Sequence, residues 1–311
     1  MEFKVAHQGV TLCGTRQGSG EPVLMIHGAG VDRSFYKVAA RELSSRFEVV
    51  TYDRRGYSES ALPGQDVDAA GAATAAAAAA NVPAAGEDGE ADNPIDSSVA
   101  PAPAPSPASD APVHDCSVAT QAEDAARIIR AFGGGEPMHV VAHSGGCTIA
   151  MELARLHPNL VRRVILDEPF IVDCLPEGSR YESVARRIMD AVSNGNEIEA
   201  VSLLAGLIGA SDPRSRSDHS TPPDLFMANN SYFIRNEFPV FSSYVPDYEA
   251  LRGADLCIFS SELDHGEEYP QCAREMGERL DAPVYYVPGT HNFPTDLPEE
   301  FARFVAGTLL L

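Results

Sequence analysis

The chain has 311 residues and a formal net charge of −22, from 45 acidic against 23 basic side chains. This length accommodates one α/β domain that carries an insertion and buries a large core. The negative charge argues against a nucleic-acid partner, because phosphate binding needs clustered Lys and Arg. The six cysteines are scattered without a Cys-x-x-Cys pair, so they form neither a zinc pattern nor a dense disulfide framework.

The N-terminal segment MEFKVAHQGVTLCG carries Glu2 where a secretory signal has positive charge, and no apolar stretch of the length of a membrane helix follows. We therefore expect a cytoplasmic protein with no membrane partner and no nucleic-acid partner. We further expect a monomer or a homodimer that acts on a small-molecule substrate. The alternating residues of the same segment predict an antiparallel hairpin at the edge of a sheet.

Short runs rich in Val, Ile and Leu recur along the chain, and such continuous apolar runs are typical of parallel strands buried on both faces. They are residues 22–27, 47–53, 138–143, 163–169, 255–262 and 284–289. Segments with helical spacing lie between them, at 35–47, 119–132, 148–156, 269–280 and 297–309. This alternation predicts an α/β fold with a mostly parallel, doubly wound sheet and helices on both of its faces.

Two long segments interrupt the alternation. Residues 64–113 consist largely of Ala, Pro, Gly and acidic residues. Because this composition cannot offset its own ordering entropy, we interpret the segment as a disordered insertion. Residues 170–248 contain several helix-like pieces, which predict a helical cap over one end of the sheet. The core domain is then made of 1–63, 114–169 and 249–311.

The stretch AHSGG, residues 142–146, follows one of the predicted buried strands. A serine that acts as a nucleophile on such a sheet lies on a sharp strand-to-helix turn, where small neighbours avoid collision. The usual pattern is Gly-x-Ser-x-Gly, and Ala142 here takes the first small position. Ser144 is therefore a candidate nucleophile, and close packing of the turn is the alternative explanation.

Further loops follow predicted strands at the same edge of the sheet. The glycine-containing turn in MIHGAG, residues 25–30, has backbone amides that can face a developing oxyanion. Asp264 and His291 follow the last two strands. Asp167 and Glu168 also end a strand, so they compete with Asp264 as the acid that orients a histidine.

With serine, acid and histidine in this chain order, the sequence resembles the α/β-hydrolase superfamily, of the kind that has a helical cap. The segment YDRRGYSES, residues 52–60, matches a family motif that is mostly structural. The resemblance implies Ser144 as nucleophile, His291 as general base and Asp264 as the acid. It also implies that the oxyanion hole is formed by two backbone amides, those of Ala29 and Gly145.

What the resemblance implies about function is a serine hydrolase that cleaves a small ester or related acyl compound through an acyl-enzyme, without a metal or organic cofactor. The superfamily performs other reactions with the same triad, so carbon-carbon bond hydrolysis, lyase chemistry and cofactor-free perhydrolysis are alternatives. A member that binds a ligand without turnover is a further alternative. We expect His143 to pack rather than to catalyse, because neighbouring strand residues point to opposite sides.

Overall fold

The structure is a computed structural model that describes residues 1–62, 115–207, 221–262 and 268–311. The insertion predicted at 64–113 lies outside the described residues, as does the candidate acid Asp264. No helix in the part of the chain that the structure describes is both long and apolar enough to cross a membrane.

The strands of the described residues all belong to one sheet. They are β1 Glu2–His7, β2 Val10–Gly18, β3 Glu21–Ile26, β4 Phe47–Tyr52, β5 Met138–His143, β6 Val161–Asp167, β7 Leu256–Ser261 and β8 Val284–Val287. Their order is β1-β2-β4-β3-β5-β6-β7-β8. The first two strands form the predicted antiparallel hairpin, β2 runs antiparallel to β4, and the remaining neighbours are parallel. The predicted mostly parallel sheet is confirmed.

Helices cover both faces of the sheet. Those of the described residues are α1 Lys37–Leu43, α2 Val118–Phe132, α3 Gly145–Leu156, α4 Arg180–Ser193, α5 Glu197–Leu207, α6 Pro223–Tyr232, α7 Phe238–Ser242, α8 Tyr248–Leu251, α9 Glu268–Leu280, α10 Phe293–Asp296 and α11 Pro298–Leu309. A π-helical turn, Phe233–Glu237, joins α6 to α7. The helix predicted at 35–47 was wrong at its end, because α1 stops at Leu43 and the buried Phe47 begins β4.

Alternate residues of each central strand enter two different apolar cores. In β3, Leu24 and Ile26 pack in the core beneath α2 and α3. Val23 and Met25 pack in the opposite core, beneath α1 and α11. Because successive strand residues point to opposite faces, a strand buried on both faces needs an uninterrupted apolar run. This is why the sequence pattern located these strands.

The helices between β6 and β7 lie against the loops that leave the carboxyl ends of β3 and β5. Asn230 of α6 donates a hydrogen bond to the carbonyl oxygen of Gly30 at 3.2 Å. Phe241 of α7 lies so close to Gly145 that a Cβ atom there would be 3.2 Å from its ring. These helices therefore enclose the end of the sheet at which the candidate site residues lie.

Candidate active site

Ser144 occupies a strained turn between β5 and α3. Its backbone has φ 50° and ψ −122°, a conformation that residues with a Cβ rarely adopt. The turn is fixed from both sides, since the Ser144 amide donates to the Asp167 carbonyl at 2.9 Å and the Cys147 amide donates to the Ser144 carbonyl at 2.9 Å. The surrounding structure thus holds this serine at the end of its strand.

The small residues around Ser144 allow two loops to approach each other closely. A Cβ atom at Gly146 would lie 2.6 Å from the Ile26 carbonyl oxygen, and one at Gly28 would lie 3.1 Å from the Ser144 Cβ. The first distance leaves no room for a side chain, and the second is tighter than an ordinary van der Waals contact. The glycines therefore bring the turn after β5 directly against the loop after β3, the loop that contains Ala29.

His291 lies in the loop after β8 and shares a cavity wall with Ser144. Its ring packs between two others, at centroid distances of 4.5 Å from Tyr269 and 4.7 Å from His143. The described structure thus brings the predicted nucleophile and the predicted base to the same cavity, although 147 positions of sequence separate them.

Glu168 is the carboxylate that contacts His291 among the described residues. Its Oε2 lies 3.4 Å from His291 Nδ1, and its Oε1 accepts a hydrogen bond from the Ser261 amide at 2.5 Å. The side chain is fully buried and the backbone has φ 52°, so this residue is also held in an unfavourable conformation. The distance to His291 is longer than a well-formed hydrogen bond, which is common before substrate binds.

Asp167, the neighbouring candidate acid, is paired with a different histidine. Its Oδ2 lies 2.8 Å from His143 Nδ1, and both side chains are buried. Burial raises the pKa of Asp167 to about 8 and lowers the pKa of His143 to about 3, because each group loses the hydration of its charged form. Both shifts favour the uncharged form of the pair near neutral pH. The His143 ring stacks on Phe35 at 4.7 Å, as its predicted packing role requires.

The two amides predicted for the oxyanion hole belong to stretches of backbone that lie close together. Gly145 is the first residue of α3, so its N–H has no acceptor within the helix. A Cβ atom at Gly145 would lie 3.7 Å from the Ala29 nitrogen, which shows how near the two backbones are. Donors so placed, at a helix N-terminus and in the adjoining loop, are suited to a negatively charged oxygen.

Two cavities meet at Ser144 and Ala29. The first is lined largely by apolar side chains of the segment between β6 and β7, including Phe170, Leu204, Phe233, Phe238 and Phe241. The second is lined by His291 and by the amide side chains of Asn230 and Asn292, among mostly apolar neighbours.

Sequence analysis missed a buried ion pair beside this site, between Arg54 and Glu237. The guanidinium donates two hydrogen bonds to the carboxylate, at 2.8 and 3.0 Å, and both side chains are inaccessible to solvent. The sequence did contain a sign of this pair. Glu237 is the one acidic residue in the mostly apolar stretch FIRNEFPVF, and Arg54 follows a buried strand. Within the described ranges, no cluster of three or more His, Cys, Asp or Glu side chains could hold a metal ion.

The comparisons with known proteins agree with this architecture. The sequence profile of the alpha/beta hydrolase fold matches residues 21–197. A protein described as the uncharacterized hydrolase YraK, from Bacillus subtilis (strain 168), is 25% identical over 293 residues, which are 92% of this chain and 88% of that protein. Bromoperoxidase from Bacillus anthracis is similar in structure with a TM-score of 0.69 and 14% identity, over 100% of this chain and 99% of that one. A hydrolase from Pseudomonas aeruginosa PA01 has a TM-score of 0.66 and 15% identity, over 99% and 98%.

Proposed function

Since the chain belongs to the alpha/beta hydrolase fold family, we propose that it is a serine hydrolase that cleaves a small ester or related acyl compound through an acyl-enzyme at Ser144. The observation that carries the proposal is the strained Ser144 turn, which faces the same cavity as His291. A serine hydroxyl is a weak nucleophile until a base takes its proton, and an imidazole performs this step near neutral pH.

In the proposed mechanism, His291 takes the proton of Ser144 as the hydroxyl attacks the acyl carbon. The amides of Ala29 and Gly145 then stabilise the tetrahedral oxyanion, and each such donor contributes about 3–4 kcal/mol in a well-studied protease. His291 returns the proton to the leaving group, and water releases the acyl group by the same route in reverse.

We assign the acid of the triad to Glu168, because it contacts His291 Nδ1 and its other oxygen is fixed by the Ser261 amide. Such a carboxylate holds the required histidine tautomer and stabilises the imidazolium. Asp264 remains the competing prediction, since it follows β7 in the chain. Asp167 is the weaker candidate because it is bonded to His143.

We infer from the two cavities where the two parts of an ester would bind. A histidine that protonates the leaving atom must lie beside it, so the leaving group belongs in the cavity that contains His291. The acyl group then enters the other cavity, whose walls are largely aromatic and aliphatic. We therefore expect an apolar acyl group, bound by the helices that we interpret as a cap.

The test combines covalent labelling with a substrate panel. A fluorophosphonate probe should label the purified protein at Ser144, as identified by mass spectrometry of the modified peptide, and Ser144→Ala should not be labelled. Turnover of p-nitrophenyl esters of increasing acyl length should then define the acyl cavity. Labelling at another residue, or no labelling and no turnover, would contradict the proposal and favour a ligand-binding protein. Labelling with peracid formation but without ester turnover would favour perhydrolysis.

A further inference from the structure

The buried Arg54 connects the loop after β3 to the π-helical turn at Phe233–Glu237. Its Nη2 donates to the carbonyl oxygen of Gly28 at 3.1 Å and to Glu237 at 3.0 Å, while Nη1 donates to the other Glu237 oxygen at 2.8 Å. The hydroxyl of Tyr57 donates to the same carboxylate at 2.5 Å. The guanidinium therefore has a fixed position relative to the Gly28 carbonyl.

The Gly28 carbonyl belongs to the same peptide unit as the Ala29 N–H. In a planar trans peptide these two groups point in opposite directions. A carbonyl held towards Arg54 therefore directs the Ala29 N–H away from Arg54, and that amide lies beside Gly145 and Ser144. The orientation of a single peptide plane thus determines where the amide points.

His27 supplies a second donor to the same carbonyl. Its Nε2 accepts a hydrogen bond from the backbone N–H of Arg54 at 3.0 Å, so the ring proton must lie on Nδ1, which is 2.9 Å from the Gly28 oxygen. Burial lowers the pKa of His27 to about 3, so the ring is neutral at pH 7 and this tautomer persists. Two donors thereby fix the Gly28 carbonyl.

We propose that Arg54, held by Glu237, is a positioning residue that orients the Gly28–Ala29 peptide so that the Ala29 N–H faces the oxyanion formed at Ser144. This inference rests on the proposed function. It gives the helical segment between β6 and β7 an indirect part in catalysis, because Glu237 comes from that segment while the peptide belongs to the loop after β3.

The adjacent Arg55 provides a matched control. It forms an equally buried two-point ion pair with Asp124, at 2.6 and 2.7 Å, but donates no hydrogen bond to the loop after β3. Replacing either ion pair by apolar residues of similar size avoids leaving an unpaired buried charge. We therefore compare the double variants Arg54→Met/Glu237→Leu and Arg55→Met/Asp124→Leu. The first removes a hydrogen bond to the Gly28 carbonyl, and the second leaves that hydrogen bond in place.

We expect the first double variant to lose kcat on a p-nitrophenyl ester by at least about tenfold with little change in KM, because the misdirected amide acts only in the transition state. Its affinity for a trifluoromethyl ketone, whose adduct with a serine carries an oxyanion, should fall in parallel. The second double variant should keep kcat and ketone affinity within about twofold. Thermal unfolding of both variants measures any purely structural effect.

A second pair of variants tests the same peptide if the first double variant does not fold. His27→Asn places an amide NH₂ near the position of Nδ1 and can still donate to Gly28, whereas His27→Gln places its amide near Nε2 and cannot. We expect His27→Asn to retain more kcat than His27→Gln. The reverse order would overturn the proposal.

The outcomes separate this inference from the proposed function. If the wild type is labelled at Ser144 and both double variants keep full kcat and ketone affinity, the positioning role is wrong and the proposed function stands. Equal losses in both double variants would also overturn the positioning role, because the effect would then come from burial of charge in general. A wild type that is neither labelled at Ser144 nor active on any acyl substrate would overturn both.

Discussion

The middle of the sheet and its carboxyl edge are built from the same strands but differ in chemistry. In β6, Ile165 is a buried apolar residue that packs beneath α1 and α11. Asp167 and Glu168, at the end of the same strand, are equally buried but ionisable, and Glu168 has a strained backbone. Buried ionisable groups and positive φ angles lower stability and recur at functional sites.

Burial alone therefore does not predict the effect of a substitution on this protein. A substitution in the middle of β6 should lower the free energy of unfolding without altering turnover. One at the edge should lower turnover while leaving stability unchanged or raising it. Substitutions along β5 and β6 are therefore the direct way to test the comparison.

The largest effect is expected for Ser144→Ala, which should reduce turnover of esters by at least about a thousandfold. The free energy of unfolding should stay within about 1 kcal/mol of the wild type, because only one oxygen is removed. Ser144→Gly should be equally inactive but more stable, since glycine tolerates φ 50° without strain. Steady-state kinetics and urea unfolding measure both quantities. A variant with more than a tenth of the wild-type turnover would contradict the role of Ser144.

A smaller loss is expected for Glu168→Gln, at least about a hundredfold in kcat, because glutamine keeps the shape of the side chain but cannot stabilise an imidazolium. Asp264→Asn is the decisive comparison and should leave kcat within about threefold. Single-turnover kinetics with a p-nitrophenyl ester measure the acylation step for both. If Asp264→Asn lowers kcat more than Glu168→Gln does, Asp264 is the acid of the triad and Glu168 has only a structural role.

Asp167→Asn is expected to change stability in a pH-dependent way. Asp167 keeps its proton in the folded protein up to about pH 8, whereas the unfolded chain releases it near pH 4. A rise in pH between these values therefore favours unfolding. Below about pH 6.5 the buried neutral His143 has the opposite effect, since the unfolded chain then binds a proton that folded His143 does not. The contribution of Asp167 is therefore clearest between about pH 6.5 and 8.

Between pH 6.5 and 8 the free energy of unfolding of the wild type should fall by up to about 2 kcal/mol relative to that of Asp167→Asn. The variant has no carboxyl group to titrate and can still donate a hydrogen bond to His143. Urea unfolding of both proteins at pH 6.5, 7.25 and 8 measures the difference, in which titrations common to both cancel. If the free energies of unfolding of the two proteins change in parallel with pH, Asp167 is ionised throughout this range. That result would contradict the uncharged state of Asp167 and His143.

The smallest effect is expected in the middle of β6, for Ile165→Val. Removal of one buried methylene should lower the free energy of unfolding by about 1 kcal/mol. Turnover should be unchanged, because Ile165 contacts the core beneath α1 and α11 rather than a cavity at Ser144. Urea unfolding and ester kinetics on the same preparation test this. If Ile165→Val lowers kcat more than Glu168→Gln does, the middle of the sheet and its carboxyl edge do not differ in the way described.

The strands were predictable because burial on both faces requires continuous apolar runs. Residues 138–143 coincide with β5, and the run at 22–27 differs from β3 by a single position at each end. The resemblance to the α/β hydrolases rested on short motifs at strand ends and is confirmed by the family match. The site assignments for Ser144 and His291 stay predictions until activity is measured.

The acid and the oxyanion support were not predictable, for different reasons. In the sequence, Asp167 and Glu168 end one predicted strand and Asp264 follows another, so chain order alone predicts the same edge for all three. The acid that we propose, Glu168, was selected by the direction of its side chain. That direction depends on its backbone φ of 52° and on the hydrogen bond that it accepts from the Ser261 amide. The pair Arg54 and Glu237 depends on tertiary contact across the chain, for which neither segment carries a periodic signal.

The sequence separation of these pairs also affects the order of folding. Arg54 and Glu237 are 183 positions apart, and Glu168 and His291 are 123 apart. Contacts that close such long loops form slowly, because the chain entropy is lost before the contacts stabilise it. The pairing of β3 with β5 closes a shorter loop, of 116 positions from Val23 to His139, so we expect the contact between Arg54 and Glu237 to form last and His27 alone to hold the Gly28–Ala29 peptide until then. Newly made chains would pass through a compact, inactive state, and recovery of enzymatic activity after dilution from urea would lag behind recovery of the far-ultraviolet signal.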